Sequence, residues 1–180
     1  QQPQDFIGGK TGEALRAVAP LAETPDVSVP IPTGERDGVA SWVEEALAQG
    51  AHLAAGGKIG EDGVLQPTLL TNVNPDMKVC AGEVFGPVVA VTAYDDLDTA
   101  IAMANDTKFG LQAAIFTADI AKALKAVYAL DFGGVLVNEV PTWRADQQPY
   151  GGLRDSGNTR EGPAYSIKEM TEIRMVIING

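Results

Sequence analysis

Apolar positions recur along this chain with two different periods. Val39, Trp42, Val43, Ala46 and Leu47 stand at i, i+3, i+4, i+7 and i+8, the stripe of an amphipathic helix. Thr33 is placed to cap that helix, and Gly50 to stop it. Short extended segments are predicted near 52–55 and 65–70, with the turn Gly56-Gly57 between them. From residue 88 the alternation of elements is clear. Residues 88–91 are a short continuous apolar run, as in a strand covered on both faces. Asp95-Asp96 then cap a helix carrying Leu97, Ile101 and Ala104, and residues 111–116 form a second strand. Thr117 is placed to cap a further helix with Ile120, Ala123, Leu124 and Val127 inward, ending near Gly133-Gly134. Val135-Leu136-Val137 is a third strand. Strands alternating with helices imply right-handed crossovers. The expected fold class is therefore α/β, a three-layer α/β/α arrangement with a mainly parallel open sheet.

The two ends read differently. Ala14, Leu15, Ala17 and Val18 point to a helix that Gly8-Gly9 and Gly12 weaken. Pro20, Pro25, Pro30 and Pro32 make 20–32 an extended connection. Residues 138–162 are rich in Gly, Pro, Asp, Arg and Gln, and a loop of that length in a compact domain is commonly functional. A short helix is expected around 164–170. A last β-branched strand is expected over 173–178, interrupted by Arg174.

Composition narrows the function. With 180 residues, 45% hydrophobic and 21% charged, the chain has the size and balance of one globular domain. A net charge of -11 argues against nucleic acid and against an anionic membrane surface, since both are met by cationic patches. No apolar run approaches a membrane span, and no Cys/His cluster has metal-ligand spacing, so no metal site is expected. Cys80 is the only cysteine and His52 the only histidine, which leaves no catalytic dyad or triad with a second histidine. His52 reads as a strand or turn residue. The start carries no targeting signal and no initiator Met, so the expectation is a fragment or processed chain in a reducing, cytoplasmic setting.

Two regions have residues that fit chemistry. In Glu83-Val84-Phe85-Gly86-Pro87, Gly-Pro makes a turn before a strand, and a solvated Glu83 with a core Phe85 would be an ordinary reading. In an extended segment, however, Glu83 and Phe85 share one side. A carboxylate there can accept from ribose hydroxyls, and an aromatic ring beside it can press on a nicotinamide. The second region follows Val137, at the carboxyl end of a strand, where open α/β sheets bind ligands. Asn138 either contacts a ligand or caps the turn. Trp143, Arg144 and Tyr150 can line a pocket, with Arg144 facing an anionic group or an acid such as Asp146. Gly151-Gly152 and Gly157 match no phosphate-cradle motif and read as tight turns. Cys80, without a nearby histidine, reads as a small buried hydrophobe. Asn105 reads as turn chemistry.

Together these motifs resemble the later part of the aldehyde dehydrogenase superfamily, from about residue 26 to the C-terminus. The resemblance runs through Gly63-Val64-Leu65-Gln66-Pro67-Thr68, Glu83 to Pro87, Asn105 to Leu111 with Ala114-Ile115-Phe116-Thr117, Gly133 to Asn138, and the segment from Pro149 to Gly162. The context of Trp143-Arg144 and Tyr150 is similar to the branch of semialdehyde, lactaldehyde and non-phosphorylating glyceraldehyde-3-phosphate dehydrogenases. The resemblance implies a fragment of an NAD(P)-dependent enzyme that oxidises an aldehyde to a carboxylic acid through a cysteine thiohemiacetal. It implies Glu83 at the nicotinamide ribose, Phe85 beside the nicotinamide, and Asn138, Trp143, Arg144 and Tyr150 in the substrate pocket. It implies that the nucleophile, general base and dinucleotide-binding domain lie earlier in a complete chain, so no catalytic residue is expected here and the fragment alone should be inactive. Residues 1–171 would then belong to the catalytic domain and 172–180 would be a C-terminal oligomerisation strand, making a homo-oligomer. A non-enzymatic assembly module pairing through that strand is the alternative. Three positions depart from the family pattern: Gly82 for a common acid, Thr159 for a glycine, and Arg154 for a lysine. Gly8-Gly9-Lys10 also fits it poorly.

Overall fold

The computed structural model of the chain describes residues 17–18, 27–28 and 33–180. Its elements are mixed helices and strands in an α/β fold, distributed over two compact units that divide between Tyr94 and Asp95. Each unit is taken by itself.

In the first unit, β1 (Ala17–Val18) and β2 (Val27–Ser28) pair in parallel. The helix expected around Ala17 and Val18 is thus replaced there by strand, which fits the glycines ahead of it and the helix-poor, proline-rich stretch behind. The other expectations before Thr33, Gly8-Gly9-Lys10 included, lie outside the described residues. Helix α1 (Thr33–Ala48) buries Val39, Val43 and Ala46, one stripe of the predicted face, and Trp42 and Leu47 pack at its border. Its end is closed by Ala51 N–H donating to the Ala46 carbonyl, with Gly50 at φ +101°, a conformation only glycine adopts freely. The stripe rests on a three-stranded sheet, β3 (His52–Ala55), β4 (Thr68–Thr71) and β5 (Val88–Val91). β4 is central, antiparallel to β3 and parallel to β5, and Leu70 on it is fully buried. A short helix, α2 (Lys78–Ala81), packs on α1, with Lys78 Nζ 2.6 Å from Glu45.

The second unit is built from α3 (Leu97–Asn105), β6 (Gln112–Ile115), α4 (Ile120–Ala129) and β7 (Gly134–Val137). β6 and β7 pair in parallel, in register from Gln112 with Gly134 to Ile115 with Val137, so α4 is the crossover between them. Asp96 caps α3 by accepting from Thr99 N–H at 2.8 Å. Two expectations for α4 are corrected. The cap is Asp119, which accepts from Ala121 N–H; Thr117 instead holds the cap residue by accepting from Asp119 N–H. The buried stripe is Ala123 and Ala126, followed by Leu130, while Ile120, Leu124 and Val127 are exposed. It is thus the small-residue stripe, and not the larger one beside it, that packs inward. Ile101, Ile115, Ala126 and Leu130 form the core of this unit.

The long segment after β7 is ordered by main-chain pairing. Tyr150 and Glu161 exchange both backbone hydrogen bonds, Leu153 N–H donates to the Gly110 carbonyl, and Ser156 Oγ accepts from Gly110 N–H. Helix α5 (Pro163–Glu169) follows, with proline in its first turn. Residues 171–180 form no strand among the described residues. A strand is defined by its ladder, and this stretch pairs with no strand among the described residues; its side chains are exposed. No helix among the described residues is long and apolar enough to cross a membrane.

Candidate functional site

Glu83 and Phe85 lie between α2 and β5 in the first unit. Val84 turns inward against the cluster of Val43, Leu70 and Met77, so the residues on either side of it turn outward. Gly86 N–H donates to the Val84 carbonyl at 2.9 Å and turns the chain into β5. Phe85 is 68% exposed. A ring of that size outside the core is an uncovered contact surface, and the expectation of Phe85 in the core is excluded. The Glu83 carboxylate is exposed and makes no hydrogen bond or ion pair among the described residues. An unpaired carboxylate thus stands two residues from an exposed aromatic ring.

Cys80, on α2, corrects the sequence reading. It is exposed rather than a buried hydrophobe. Partial burial of the sulfur pushes its thiol up from the ordinary value, with no opposing cation or hydrogen bond. It is therefore a poor thiolate, the opposite of an activated nucleophile. His52, also exposed, lies on β3 with Nδ1 3.5 Å from Thr71 Oγ1.

The second group of residues lies in the second unit. Asn138 sits at the end of β7 with φ +57°. Its Oδ1 accepts from Thr117 N–H at 2.8 Å and its Nδ2 donates to the Thr117 carbonyl at 3.0 Å. The amide closes the ends of β6 and β7 like one more rung of the ladder. Arg144 reaches Glu161, 2.6 Å away, rather than Asp146, and its guanidinium lies 4.5 Å from the centroid of the Tyr150 ring. The Tyr150–Glu161 backbone pair holds both partners at that place. Trp143 is half-exposed beside a groove of about 280 Å³, lined also by Gln112, Gly133, Gly134, Leu136, Gln148 and Pro149. Arg144, Tyr150 and Glu161 form one cluster, Trp143 lines the groove, and Asn138 caps the strands.

Three features escaped the sequence. Glu161 as the partner of Arg144 is 17 residues away, and only the loop pairing brings it close. The Gln112 amide lies over Gly134, and its Oε1 is buried without a partner. Gly133 and Gly151 touch backbone to backbone: a Cβ on Gly133 would sit 1.8 Å from the Gly151 carbonyl oxygen. The glycine doublets were the available signal for that last contact. Asn105, read as turn chemistry, joins two helix ends, donating to the Ala129 carbonyl and accepting from Asp131 N–H. Arg154, at φ +55°, donates to the carbonyls of Asn105, Thr107 and Asp131 and closes the same corner. Among the described residues no group of His, Cys, Asp and Glu could hold a metal ion.

The fold is α/β, with an outward Glu-x-Phe step before one strand and a polar-aromatic loop after another. The sequence model of the aldehyde dehydrogenase family matches residues 9–176, and the chain belongs to that family. It is 47% identical over 168 residues to 3-sulfolactaldehyde dehydrogenase of Priestia aryabhattai, covering 93% of this chain and 35% of that protein. It is 38% identical over 165 residues to lactaldehyde dehydrogenase of Methanococcus aeolicus, covering 92% of this chain and 35% of that one. Among solved structures it superposes on glyceraldehyde-3-phosphate dehydrogenase GapN from Methanocaldococcus jannaschii complexed with NADP, with a TM-score of 0.84 and 38% identity over 91% of this chain and 35% of that chain. The chain thus spans about a third of the length of the relatives it matches. These homologues are oxidoreductases, which places the chain in an enzyme family.

Proposed function

We propose that this chain is the part of an NAD(P)-dependent aldehyde dehydrogenase that supplies a nicotinamide-side wall and one side of the aldehyde pocket. The observation that carries the reading is the outward, unpaired placement of Glu83 and Phe85 on either side of the inward Val84. NAD or NADP, when bound, would accept a hydride from the aldehyde carbon. Glu83 would hold the nicotinamide ribose by accepting from its hydroxyls, and Phe85 would cover one side of the nicotinamide ring.

Aldehyde oxidation in this scheme runs through a cysteine thiohemiacetal to the carboxylic acid. Cys80 is not that cysteine, because its thiol is pushed up and it stands on a helix turn beside Lys78 and Val79. The thiolate is therefore supplied from outside this chain, and the chain by itself is inactive. Trp143, Arg144, Tyr150 and Asn138 form the substrate side. Trp143 and Tyr150 give apolar wall, Arg144 gives a fork for an anionic group, and Asn138 fixes the strand ends that carry them. The 3-sulfolactaldehyde and glyceraldehyde-3-phosphate in the names of relatives carry sulfonate and phosphate, which supports an anionic aldehyde for the pocket. Residues 172–180 are proposed as the strand through which copies assemble into a homo-oligomer. The purely structural assembly module is not favoured, since the homologues are enzymes.

Two measurements test the reading. The purified chain is incubated with NAD+ or NADP+ and 3-sulfolactaldehyde or lactaldehyde, and no reduced nicotinamide should appear; turnover would refute the inactivity of the chain. A chimera in which this chain replaces the matched third of the Priestia enzyme should oxidise its aldehyde. In it, Glu83→Gln should raise KM for the cofactor by about tenfold, the loss of one charge-assisted hydrogen bond. An unchanged cofactor KM removes Glu83 from the proposal.

A further inference from the structure

Neither α3 nor α4 carries a cation in its last turn, although the final carbonyls of a helix are unpaired and bear partial negative charge. Arg154 supplies one cation to both ends from a later part of the chain. Its Nη1 donates to the carbonyls of Asn105 and Thr107, at and just past the end of α3, and its Nη2 donates to the Asp131 carbonyl, just past α4. The Asp131 carboxylate is 3.7 Å from Nε and largely exposed, so main chain rather than an ion pair holds the guanidinium. The guanidinium also lies 5.4 Å from the centroid of the Phe132 ring. Arg154 has φ +55°, a backbone conformation that persists at a non-glycine residue only where its surroundings over-determine it. They do so here. Leu153 N–H donates to the Gly110 carbonyl, Asp155 N–H to the Lys108 carbonyl, and Gly110 N–H to Ser156 Oγ. Residues 153–156 are thus fastened to the chain that leaves α3. The residues just before them lead to the substrate side: Gly151 lies against Gly133, and Tyr150 pairs with Glu161, which holds Arg144 beside the Tyr150 ring.

We propose that Arg154 is a positioning residue for the aldehyde pocket: by tying the ends of α3 and α4 to the 151–153 turn, it sets the place of the Tyr150 ring and so the aim of Arg144. Its guanidinium touches no substrate in this scheme. The fork is needed because the carbonyls come from two separate elements, and an ammonium is a single point charge that cannot reach both. The inference rests on the proposed role of Arg144 toward an anionic aldehyde.

The experiment uses the chimera with the Priestia enzyme and the 180-residue chain. Arg154→Gly removes the fork and accepts the positive φ, so backbone strain is not the source of any defect. In the chimera it should raise KM for 3-sulfolactaldehyde about tenfold, as a misaimed charge-assisted contact would, and leave the cofactor KM unchanged. In an Arg144→Ala background the same change should move that KM by less than about twofold, because the residue through which Arg154 acts is gone. Arg154→Lys should behave like Arg154→Gly, and it carries the test if the glycine variant does not fold. The second readout needs no turnover. In the native 180-residue chain the Arg144 side-chain protons should resonate upfield, shifted by the ring current of Tyr150, and both Arg154 variants should lose that shift. An unmoved KM, an equal rise in both backgrounds or a parallel rise in cofactor KM overturns the proposal, as does a ring-current shift retained without the fork. If Arg144→Ala itself leaves KM for 3-sulfolactaldehyde unchanged, the reading of Arg144 at the substrate fails, and the ring-current shift still decides whether Arg154 sets the stack of Arg144 on Tyr150.

Discussion

The guanidinium of Arg144 lies over the ring of Tyr150, 4.5 Å from its centroid, while its Nη2 holds Glu161 at 2.6 Å. Both partners of the ion pair are about half-exposed, so the pair contributes at most about 1 kcal/mol to folding. Its value is orientation: the fork is stacked and aimed. If Arg144 receives an anionic substrate, Glu161 is the internal acid it exchanges for that anion. In the chimera, Arg144→Lys should leave thermal stability nearly unchanged and raise KM for 3-sulfolactaldehyde about tenfold, because an ammonium neither stacks nor forks. Glu161→Gln should lower that KM, since the guanidinium loses its competitor. Kinetics with a neutral aldehyde, unaffected by either change, complete the check.

Gly133 and Gly151 set a second expectation. A methyl group on Gly133 would collide with backbone, 1.8 Å from the Gly151 oxygen and 2.9 Å from the Gly152 Cα. Backbone cannot step aside as a flexible side chain does. Gly133→Ala should cost about 1–3 kcal/mol or more, the range of overpacking, read as a fall in the denaturation midpoint. Gly34→Ala, with nothing within 4 Å of the added methyl on α1, should be neutral or stabilising.

Much of this architecture was legible in the chain. The helical stripe of Val39, Val43 and Ala46, the turn at Gly50, the strand at 88–91 and the strand read at 135–137, which the structure starts at Gly134, follow from period and punctuation, because burial and local turn chemistry agree there. The inward face of α4 was not legible. Ile120, Leu124 and Val127 have helical spacing, but Ala123 and Ala126 are buried and the three larger residues are exposed. Periodicity counts apolar residues and does not tell which of two neighbouring apolar stripes turns inward. The Arg144–Glu161 pair and the Gly133–Gly151 contact depend on a loop whose path is set by long-range main-chain bonds, which no local pattern encodes. Glu83 and Phe85 were legible as a motif, and their outward placement required the position of Val84.

Cys80 illustrates how exposure and reactivity separate. The residue is reachable, yet partial desolvation of its sulfur raises the thiol above its ordinary value. Less thiolate is present at neutral pH than for a free cysteine, so alkylation by iodoacetamide should be slower than that of a free thiol under the same conditions. The rate should climb as pH rises through the elevated value. Cys80→Ser should leave the turnover of the chimera unchanged; lost turnover would make Cys80 the nucleophile and would sink the assignment of the thiolate to another part of the chain.

Asp96 gives a pH dependence with a definite sign. Thr99 N–H and then the Thr99 hydroxyl donate to its carboxylate, and these bonds hold it below the usual carboxylate range in the folded chain. A group with a depressed folded value stabilises the fold above its unfolded value, and the contribution is lost as pH falls through the folded one. Asp96→Ala should therefore lower the thermal midpoint at neutral pH. The gap between variant and native chain should close on acidification. A gap that stays constant down to strongly acidic pH would show that the charged cap is not its source.

The C-terminal stretch is the last test. Ile173, Met175, Val176, Ile177 and Ile178 are 70–101% exposed and contribute nothing to either core cluster. A β-branched run in water with unpaired main chain is unfavourable in a monomer and has the pattern of a strand awaiting a ladder. Among the described residues 172–180 make no hydrogen bond and their side chains are exposed, and the nearest bond, Thr171 to the Ile167 carbonyl, stays on deletion. The truncated chain should melt at the same temperature as the native one. If 172–180 is the assembly strand, light scattering should show the native chain's mass rising with concentration, while the truncated chain remains at the monomer mass. Equal masses for both at every concentration would leave the segment without a role in assembly, and a lowered melting point would mean that it packs on this chain instead.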